Sequence, residues 1–338
     1  MRIGIPRETK PGERRIVFIP DHVALLVRDG HEVRVASGAG SAIGKSDASY
    51  RDAGARVTTP DEAWDAELIV KVKEIQGAEY PHLRAGQALF GYHHLPREPE
   101  RARALAARGV TAIAFEMVRD STGGYPLLAP MSVIAGRMAI DTAAKHLGQA
   151  PRNVLVLGAG HAGGAAERAA RERGAEVTVL RRASATPEAV ERAALAADLV
   201  VGAVFVPGAP TPRLLPRSLV ARMRRGSMIV DISIDAGGVA ETSRPTTHAA
   251  PTFVEEGVIH YCVTNMPAAE PAEAAAAISA AVLPYARELA SKGIARAVRE
   301  NAALRSGVLI WRGRVNHPGI AEEAGLAYTP VSERDLED

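Results

Sequence analysis

The sequence predicts an α/β protein built from two doubly wound, parallel-sheet domains with a cleft between them. Three observations support this fold class. Short apolar runs alternate with helical patterns, Gly and Pro separate the two, and one glycine-rich turn joins a strand to a helix. At 338 residues, with 47% hydrophobic and 24% charged residues, the chain is long enough for two domains of ordinary globular composition.

The stretch from 153 to 180 has the pattern of a dinucleotide-binding βαβ unit. The apolar run NVLVL precedes the turn GAGHAG, and a small-residue helical run and a second strand follow. In such a unit Gly158 permits the tight turn, Gly160 lets the backbone approach a pyrophosphate and Gly163 lets helix and strand pack closely. The helix start also attracts phosphates. We therefore expect a nucleotide here, the alternative being a glycine-rich turn without a ligand.

Two arginines follow the second strand of this unit and bear on the choice of cofactor. An NAD site usually has Asp or Glu at this place, which accepts hydrogen bonds from the ribose 2′-OH. Here the residues are Arg181 and Arg182, and a guanidinium can bind a 2′-phosphate. The pattern favours NADP(H) and leaves NAD(H) possible. A solvated arginine pair is the alternative interpretation.

The chain is expected to cross twice between its domains. Residues 1–127 together with 275–338 are predicted to form a flavodoxin-like substrate or catalytic domain, and residues 128–274 a Rossmann nucleotide domain. Within this scheme the pattern predicts one strand over 252–264 and one long helix over 272–300. Two crossing segments would leave a cleft suited to a small ligand.

Several charged side chains follow predicted strands. In an α/β sheet, ligands bind outside the carboxyl ends of the strands. Arg15 follows the N-terminal strand, and Lys71 and Lys73 follow the run LIV. The chain has few lysines, so a lysine at a strand end is more notable than one of its many arginines. We expect one of these two lysines at the surface and the other in the site.

Histidines and aspartates follow other strands. His93 and His94 lie in FGYHHLP, and Asp231 and Asp235 lie in IVDISIDAGG. Exposed loop histidines and simple turn aspartates are the alternatives to a functional role. Adjacent histidines do not chelate one metal comfortably, and no metal-binding motif is present, so we expect no metal site.

Composition and charge limit which binding partners and which cellular compartment are expected. A net charge of +2 gives no reason to expect nucleic acid or an anionic membrane surface. The single cysteine, Cys262, excludes an internal disulfide and lies in an apolar stretch typical of a buried thiol. No signal peptide or membrane-spanning run is evident, so we expect a cytoplasmic protein.

Several long segments together resemble the alanine dehydrogenase / pyridine nucleotide transhydrogenase α-subunit family. The resemblance covers nearly the whole chain. It rests on MRIGIPRETKPGERRIVFIP, LIVKVKE, LFGYHHL, PLLAPMSVIAGR, VLVLGAGHAGGAA, VVGAVFVPGAPTPRLL, MIVDISIDAGGVAETSRPTTH and YCVTNMPAAEP.

The resemblance implies roles for individual residues. Arg15 and Lys73 would bind the carboxylate and carbonyl of a 2-oxo acid, and His94 would hydrogen-bond the reacting carbonyl oxygen. Asp235 would handle protons as ammonia adds and water leaves. The resemblance also implies a homo-oligomer, a dimer or higher. The residues expected to line the nucleotide are Ser132, Gly158, Gly160, Ala162, Gly163, Arg181, Arg182, Val204, Asn265 and Met266.

The chain departs from the family pattern in four places. Arg181 replaces the acidic ribose residue, and Val133 replaces the acidic residue after the crossover serine. The Gly-rich hairpin before the nucleotide strand is reduced to the connection LGQAPRNV. The polar stretch after NMP is replaced by AAEPAEAAAAISAA. These departures concern the cofactor, the oligomer contacts and the pocket wall.

The leading expectation is an NAD(P)H-dependent amino-acid dehydrogenase that reductively aminates a small 2-oxo acid, with NADPH preferred. An alternative is opine-type condensation of the oxo acid with an amino acid, as in carboxyethyl-ornithine synthase and lysine-forming saccharopine dehydrogenase. A non-catalytic nucleotide module of a membrane transhydrogenase is a third, weaker alternative.

Overall fold

Strands and helices alternate along the chain in the computed structural model, which describes residues 1–96, 98–206 and 210–337. The strands are β1 (Arg2–Ile5), β2 (Glu32–Ala36), β3 (Arg56–Thr58), β4 (Leu68–Val70), β5 (Ala88–Gly91), β6 (Thr111–Ala114), β7 (Asn153–Leu157), β8 (Glu176–Leu180), β9 (Leu199–Gly202), β10 (Met228–Asp231), β11 (Thr252–Glu255), β12 (Val258–Tyr261), β13 (Val308–Trp311) and β14 (Arg314–Val315). The α-helices are α1 (Pro20–Arg28), α2 (Asp47–Asp52), α3 (Pro99–Ala107), α4 (Ala129–Leu147), α5 (His161–Glu172), α6 (Pro187–Ala196), α7 (Arg217–Val220), α8 (Pro271–Lys292), α9 (Ile294–Glu300), α10 (Ala302–Gly307) and α11 (Pro318–Ala324).

The chain divides into two units. The first unit contains Met1–Pro130 and Glu270–Asp338, and the second contains Met131–Ala269. Each unit has its own sheet and buries its own apolar side chains. In the described part of the chain, no helix is long and apolar enough to cross a membrane.

The sheet of the first unit has the order β14-β13-β6-β5-β4-β1-β2-β3. The strands from β6 to β3 are parallel, and β13 and β14 add an antiparallel edge. Read from β3, the order is 3-2-1-4-5-6, whereas a flavodoxin-like sheet has 2-1-3-4-5. The flavodoxin-like label is therefore wrong in strand order. The order reverses between β1 and β4, which is the switch point of this sheet.

The sheet of the second unit has the order β11-β12-β10-β9-β7-β8. All neighbours are parallel except the edge strand β11, which runs antiparallel to β12. The order reverses between β7 and β9, so the glycine-rich turn after β7 lies at the switch point, where doubly wound folds bind ligands. The predicted α/β class with two mainly parallel sheets is confirmed, with short antiparallel edges added.

Two long elements expected from the sequence are divided in the structure. The single strand expected over 252–264 is a hairpin of β11 and β12, because Glu256 and Gly257 both adopt positive φ angles, 54° and 80°. The single helix expected over 272–300 ends at Lys292. Gly293, with φ 81°, separates α8 from α9 because a left-handed φ cannot continue a right-handed helix.

Candidate active site

Four neighbouring parallel strands of the first unit direct charged side chains to one edge of the sheet. Arg15 follows β1, Lys73 follows β4, His94 follows β5 and Glu116 follows β6. Parallel strands present their carboxyl ends at the same edge, so four sequence-distant segments supply one site. Because β1 and β4 flank the switch point, Arg15 and Lys73 follow the two strands that border it.

Arg15 is held by a neighbour in its own loop. Its Nε donates to Oε1 of Glu13 at 2.7 Å, and its Nη2 donates to Oε2 at 2.6 Å. Both side chains are buried. Burial alone would raise the pKa of Glu13, but the hydrogen bonds and charge of Arg15 hold that pKa at about 2. The guanidinium is thereby fixed in orientation before any ligand arrives.

Lys73 is a buried cation without such a partner. The residue is 8% exposed, and its Nζ lies 5.7 Å from the centroid of the Tyr92 ring. Among the residues that the structure describes, its Nζ makes no hydrogen bond or ion pair. Burial, followed by the charges of Arg15 and Lys10, lowers the pKa of Lys73. An unpaired buried ammonium is unfavourable until an anion binds beside it.

Lys71, two residues earlier, is also buried but is fully paired. The residue is 2% exposed, and its Nζ lies 2.9 Å from Glu79 and 3.3 Å from Glu8. Glu8 also accepts a backbone N–H from Val72 at 2.5 Å. The expectation that one of the two lysines lies at the surface is therefore wrong. Glu8 and Glu79 neutralise Lys71, and these ion pairs fasten the segment that presents Lys73.

His94 adopts an unusual backbone conformation for a residue with a side chain, with φ at 49°. Its ring stacks on Tyr92, with ring centroids 5.9 Å apart and planes 9° from parallel. The residue is exposed, and neither ring nitrogen makes a hydrogen bond to a residue that the structure describes. Desolvation by the surrounding protein, followed by the charge of Lys73, lowers the pKa of His94. The neutral ring has one N–H to donate to a ligand oxygen.

His93 has a different environment. It is 1% exposed, its Nε2 lies 3.2 Å from the carbonyl oxygen of Leu89, and burial lowers its pKa to about 4. The ring therefore packs in the interior of the first unit rather than in a loop at the surface.

Glu116 is the member of this group that sequence reasoning missed. Its carboxylate accepts the backbone N–H of His94 at 2.6 Å and that of His93 at 3.1 Å. Burial raises the pKa of Glu116 to about 7, despite these bonds and the charge of Lys73. The rule applied to the other residues, a charged side chain directly after a strand, also points to Glu116. The sequence VTAIAFE has no turn residue that would mark a strand end before Glu116, whereas in the structure β6 ends at Ala114.

The glycine-rich turn of the second unit has the features of a dinucleotide site. Gly158 has φ 100° and donates its N–H to Leu180 at 2.9 Å, and a Cβ here would lie 2.3 Å from the carbonyl oxygen of Ala203. A Cβ at Gly163 would lie 1.9 Å from the carbonyl oxygen of Gly158. Both positions therefore require glycine, the first for its turn and the second for close packing of α5 on β7.

Gly160 differs from the other two glycines because nothing lies within 4 Å of a Cβ built there. It is the N-cap of α5, which has no side-chain cap and no acidic residue in its first turn. Ala162 lies in that turn, so free backbone N–H groups and an open glycine face the same end of the helix. This arrangement fits a pyrophosphate.

Arg181 and Arg182 directly follow β8 and are exposed. The backbone N–H of Arg181 donates to Oγ of Ser184 at 2.9 Å, and the N–H of Ser184 donates to the carbonyl of Arg181 at 2.9 Å. These bonds form a turn beside the glycine turn, because Gly158 bonds to the preceding residue, Leu180. Neither guanidinium pairs with a carboxylate in the part of the chain that the structure describes.

Asp235 lies in the second unit, in a 3-10 helix over Ile232–Ala236, and is exposed. The segment before it is fastened to the end of β9, because Oγ of Ser233 donates to the carbonyl of Val204 at 2.9 Å. The segment after it is held by the buried Asp231, which accepts from Ser243 at 2.6 Å and from Val239 at 2.8 Å. Of the two aspartates, Asp231 shapes the loop and Asp235 is the one that solvent can reach.

The remaining predicted nucleotide residues also belong to the second unit. Ser132 is half-buried in the first turns of α4, and Val204 is half-buried after β9. Asn265 has a positive φ of 55°, and Met266 is 3% exposed. Arg15, Lys73 and His94 are therefore brought together in one unit, whereas Asp235 and the predicted nucleotide residues lie in the other.

The connection before β7 has no hairpin. Helix α4 ends at Leu147 and β7 begins at Asn153, so the intervening residues form only a short link.

Cys262 is buried, as the sequence predicted, and burial raises the pKa of its thiol to about 12. Across the described residues there is no group of three or more His, Cys, Asp or Glu side chains able to hold a metal ion.

One unit is doubly wound with a dinucleotide turn, and the other has cations at its switch point; these features are typical of a nucleotide-dependent oxidoreductase. Sequence models of one family match both units. The "Alanine dehydrogenase/PNT, N-terminal domain" matches residues 4–135, and the "Alanine dehydrogenase/PNT, C-terminal domain" matches residues 180–318. The chain therefore belongs to the alanine dehydrogenase/PNT family, and it is an oxidoreductase of the amino-acid dehydrogenase class.

Individual relatives span the whole chain. An alanine dehydrogenase from Mycobacterium tuberculosis is 43% identical over 365 residues, covering 97% of this chain and 98% of the relative. One from Halomonas elongata is 41% identical over 367 residues, with 98% and 99% covered. Among solved structures, an L-alanine dehydrogenase superposes with a TM-score of 0.90 at 37% identity, covering 95% of this chain and 98% of that one. A transhydrogenase from Sinorhizobium meliloti gives 0.83 at 25% identity, with 94% and 99% covered.

Proposed function

We propose that this enzyme reductively aminates a small 2-oxo acid with ammonia and, in reverse, oxidatively deaminates the amino acid. Pyruvate is the first candidate, because relatives covering the whole chain are alanine dehydrogenases. In the forward direction the carbonyl oxygen leaves as water, ammonia supplies the new nitrogen, and a bound nicotinamide would supply the hydride. The first unit is then the substrate domain and the second the nucleotide domain.

The unpaired ammonium of Lys73 is the observation that carries this proposal. Arg15 already has a carboxylate partner in Glu13, whereas the buried Nζ of Lys73 makes no ion pair with any carboxylate that the structure describes. A substrate carboxylate beside Lys73 would supply the missing negative charge and could accept a further bond from the fixed guanidinium. A neutral substrate would leave the ammonium buried and unpaired.

His94 and Asp235 complete the proposed chemistry. A neutral imidazole can donate its N–H to the carbonyl oxygen and stabilise negative charge as the carbon is attacked. Asp235, whose place rests on the family resemblance, would take and return protons as ammonia adds and water leaves. Both residues are exposed, so a ligand can reach them.

We further propose that NADPH is preferred over NADH. Two guanidiniums follow β8, where a carboxylate would select a ribose 2′-OH, and neither has a carboxylate partner in the described chain. A 2′-phosphate would fit between Arg181, Arg182 and the turn that Ser184 closes. NADH as the cofactor is the alternative.

A substrate screen tests the proposal. The oxidation of NADPH and of NADH is followed with pyruvate plus ammonium, and then with pyruvate plus each basic amino acid. Reaction with ammonium supports the dehydrogenase. Reaction only with an amino acid would replace the proposal with opine-type condensation.

A cytoplasmic location and a homo-oligomeric state are also part of this proposal. Analytical ultracentrifugation tests the second, and a sedimentation coefficient that fits one chain at micromolar concentration would contradict it.

A further inference from the structure

We propose that Glu116 is a positioning residue that holds His94 in its working orientation by accepting the backbone N–H groups of His93 and His94. The inference rests on the proposed role of His94. It adds a residue that none of the functional expectations from the sequence included.

The backbone of His94 is held in an uncommon conformation. A residue with a side chain rarely adopts φ near 49°, because its Cβ crowds the backbone in the left-handed region. Such a conformation persists only where the surroundings determine it. The hydrogen bond from its own N–H to Oε1 of Glu116, at 2.6 Å, is the shortest of the contacts that could do so.

Two consecutive N–H groups converge on one carboxylate. His93 donates to both oxygens of Glu116, at 3.1 and 3.3 Å, and His94 donates to Oε1. Convergent backbone N–H groups form an anion-binding concavity, so the carboxylate selects the turn that presents both of them. The strand register makes this possible, because Gly91 and Ala114 are partners in β5 and β6 and both segments leave the sheet together.

The side chain of His94 is fixed from a second direction. Its ring stacks on Tyr92, whose hydroxyl donates to the carbonyl of Leu127 at 2.6 Å. The stacking sets the plane of the ring, and the N–H bonds to Glu116 set the backbone that carries it. Without Glu116, the ring would keep its stacking partner and lose its backbone orientation.

Glu116 carries no direct chemical role in this account. Its oxygens are occupied by backbone donors, and the ring nitrogens of His94 make no hydrogen bond within the described residues. Two charged or titratable side chains interact electrostatically with Glu116, namely Lys73 after β4 and Tyr92 after β5, and His93 and His94 donate their backbone N–H groups to it. Further charged groups act on these neighbours: Lys10, Glu13 and Arg15 after β1, Glu74 after β4, and Arg101 in α3.

If the charge of Glu116 holds His94 in place, kcat should depend on the ionisation of Glu116. A residue with a purely structural role would not give this pH dependence. Burial raises its pKa to about 7, so the carboxylate predominates above that pH and is lost as the pH falls through it. A neutral carboxyl is a weaker acceptor for two N–H groups. We therefore expect kcat of the wild type to contain an ionisation near neutral pH, with turnover falling toward acid.

Three variants separate the possibilities. Glu116→Ala removes the acceptor and should lower kcat about tenfold or more, the scale expected when a proton-handling group is misplaced. Glu116→Gln keeps an acceptor oxygen, although a neutral acceptor gives a weaker bond, so it should retain at least about a third of wild-type kcat. Because glutamine cannot ionise, this variant should also lose the ionisation near neutral pH. Glu100→Ala, at an exposed glutamate in the first turn of α3, is the matched control and should match wild type.

Nucleotide affinity, measured by fluorescence titration with NADPH, should be unchanged in all three variants. Normal turnover in Glu116→Ala, or equal losses in Glu116→Gln and Glu116→Ala, would overturn the inference. If Glu116→Ala does not fold, Glu116→Gln alone decides, by whether it keeps turnover and loses the ionisation. The variant His94→Ala separates a failure of the proposed role of His94 from a failure of the proposed role of Glu116. Normal turnover in His94→Ala refutes the proposed role of His94, whereas an inactive His94→Ala beside a normal Glu116→Ala refutes only the role of Glu116.

Discussion

Replacing Lys73 with methionine should raise the KM for the 2-oxo acid and leave the fold intact. Lys73 is a buried ammonium without a carboxylate partner, so a substrate carboxylate would gain a charge-assisted contact there. Such a contact contributes roughly 1.5–3 kcal/mol, which corresponds to a KM about 10- to 100-fold higher without it. Arg15 is already bound to Glu13 and would compensate only in part.

The same substitution should not lower the melting temperature. Because burial lowers the pKa of Lys73, the charged form is less favourable in the folded protein than in the unfolded chain. Removing that charge therefore leaves stability unchanged or raises it, as is common where a site is built for a ligand. A raised KM with a preserved melting temperature is a combination that a purely structural lysine would not give.

The pH dependence gives a further check. Binding of the oxo acid requires the ammonium form of Lys73, which is present below its lowered pKa and is lost as the pH rises through it. KM for the wild type should rise toward alkaline pH, and KM for Lys73→Met should lack that step. The control is Lys45→Met, at an exposed lysine, which should match wild type throughout. Unchanged KM in Lys73→Met, measured by initial rates at saturating nucleotide and ammonium, would refute the reasoning.

Three further predictions concern other residues. His94→Ala and Asp235→Asn should each lower kcat by about 100-fold or more, the scale of a positioned acid or base, with nucleotide affinity preserved in fluorescence titrations. Arg181→Asp should abolish a preference for NADPH of at least about tenfold in kcat/KM, because it adds repulsion to lost attraction; equal kcat/KM for both nucleotides in the wild type would contradict this. Lys71→Met should destabilise the first unit by about 3–5 kcal/mol, because two buried carboxylates lose their cation; an unchanged denaturant midpoint would show that the pairing contributes little.

The sequence predicted the nucleotide unit because its signals are local. The turn from Gly158 to Gly163, its preceding strand and its following helix all lie within thirty or so residues of chain, and each glycine has a separate steric reason. The hairpin at Glu256 and the helix break at Gly293 were missed, although both involve positive φ at or beside a glycine. In both cases the apolar pattern continues across the break, so the pattern predicted one continuous element although a glycine lies at the break.

The proposed substrate-binding residues could be predicted only as charged side chains at strand ends. Parallel strands have their carboxyl ends at the same edge of a sheet, and this rule predicted Arg15, Lys73 and His94 as site residues. The structure places all three in one unit. The order of the strands and the ion-pair partners of each charged side chain could not be predicted from the sequence, because both depend on contacts between segments that are distant in the chain. Lys71 was expected in one of two places, surface or site, and Glu8 and Glu79 bury it instead.

The central claim is that this enzyme joins ammonia to a small 2-oxo acid at the expense of a reduced nicotinamide nucleotide. The most direct measurement is the disappearance of NADPH and, separately, of NADH with pyruvate and ammonium, with alanine measured at the end point. We expect oxidation only when both substrates are present, with one alanine formed per nucleotide oxidised and a faster reaction with NADPH than with NADH. Oxidation with pyruvate and an amino acid but not with ammonium, or no oxidation under any of these conditions, would contradict it.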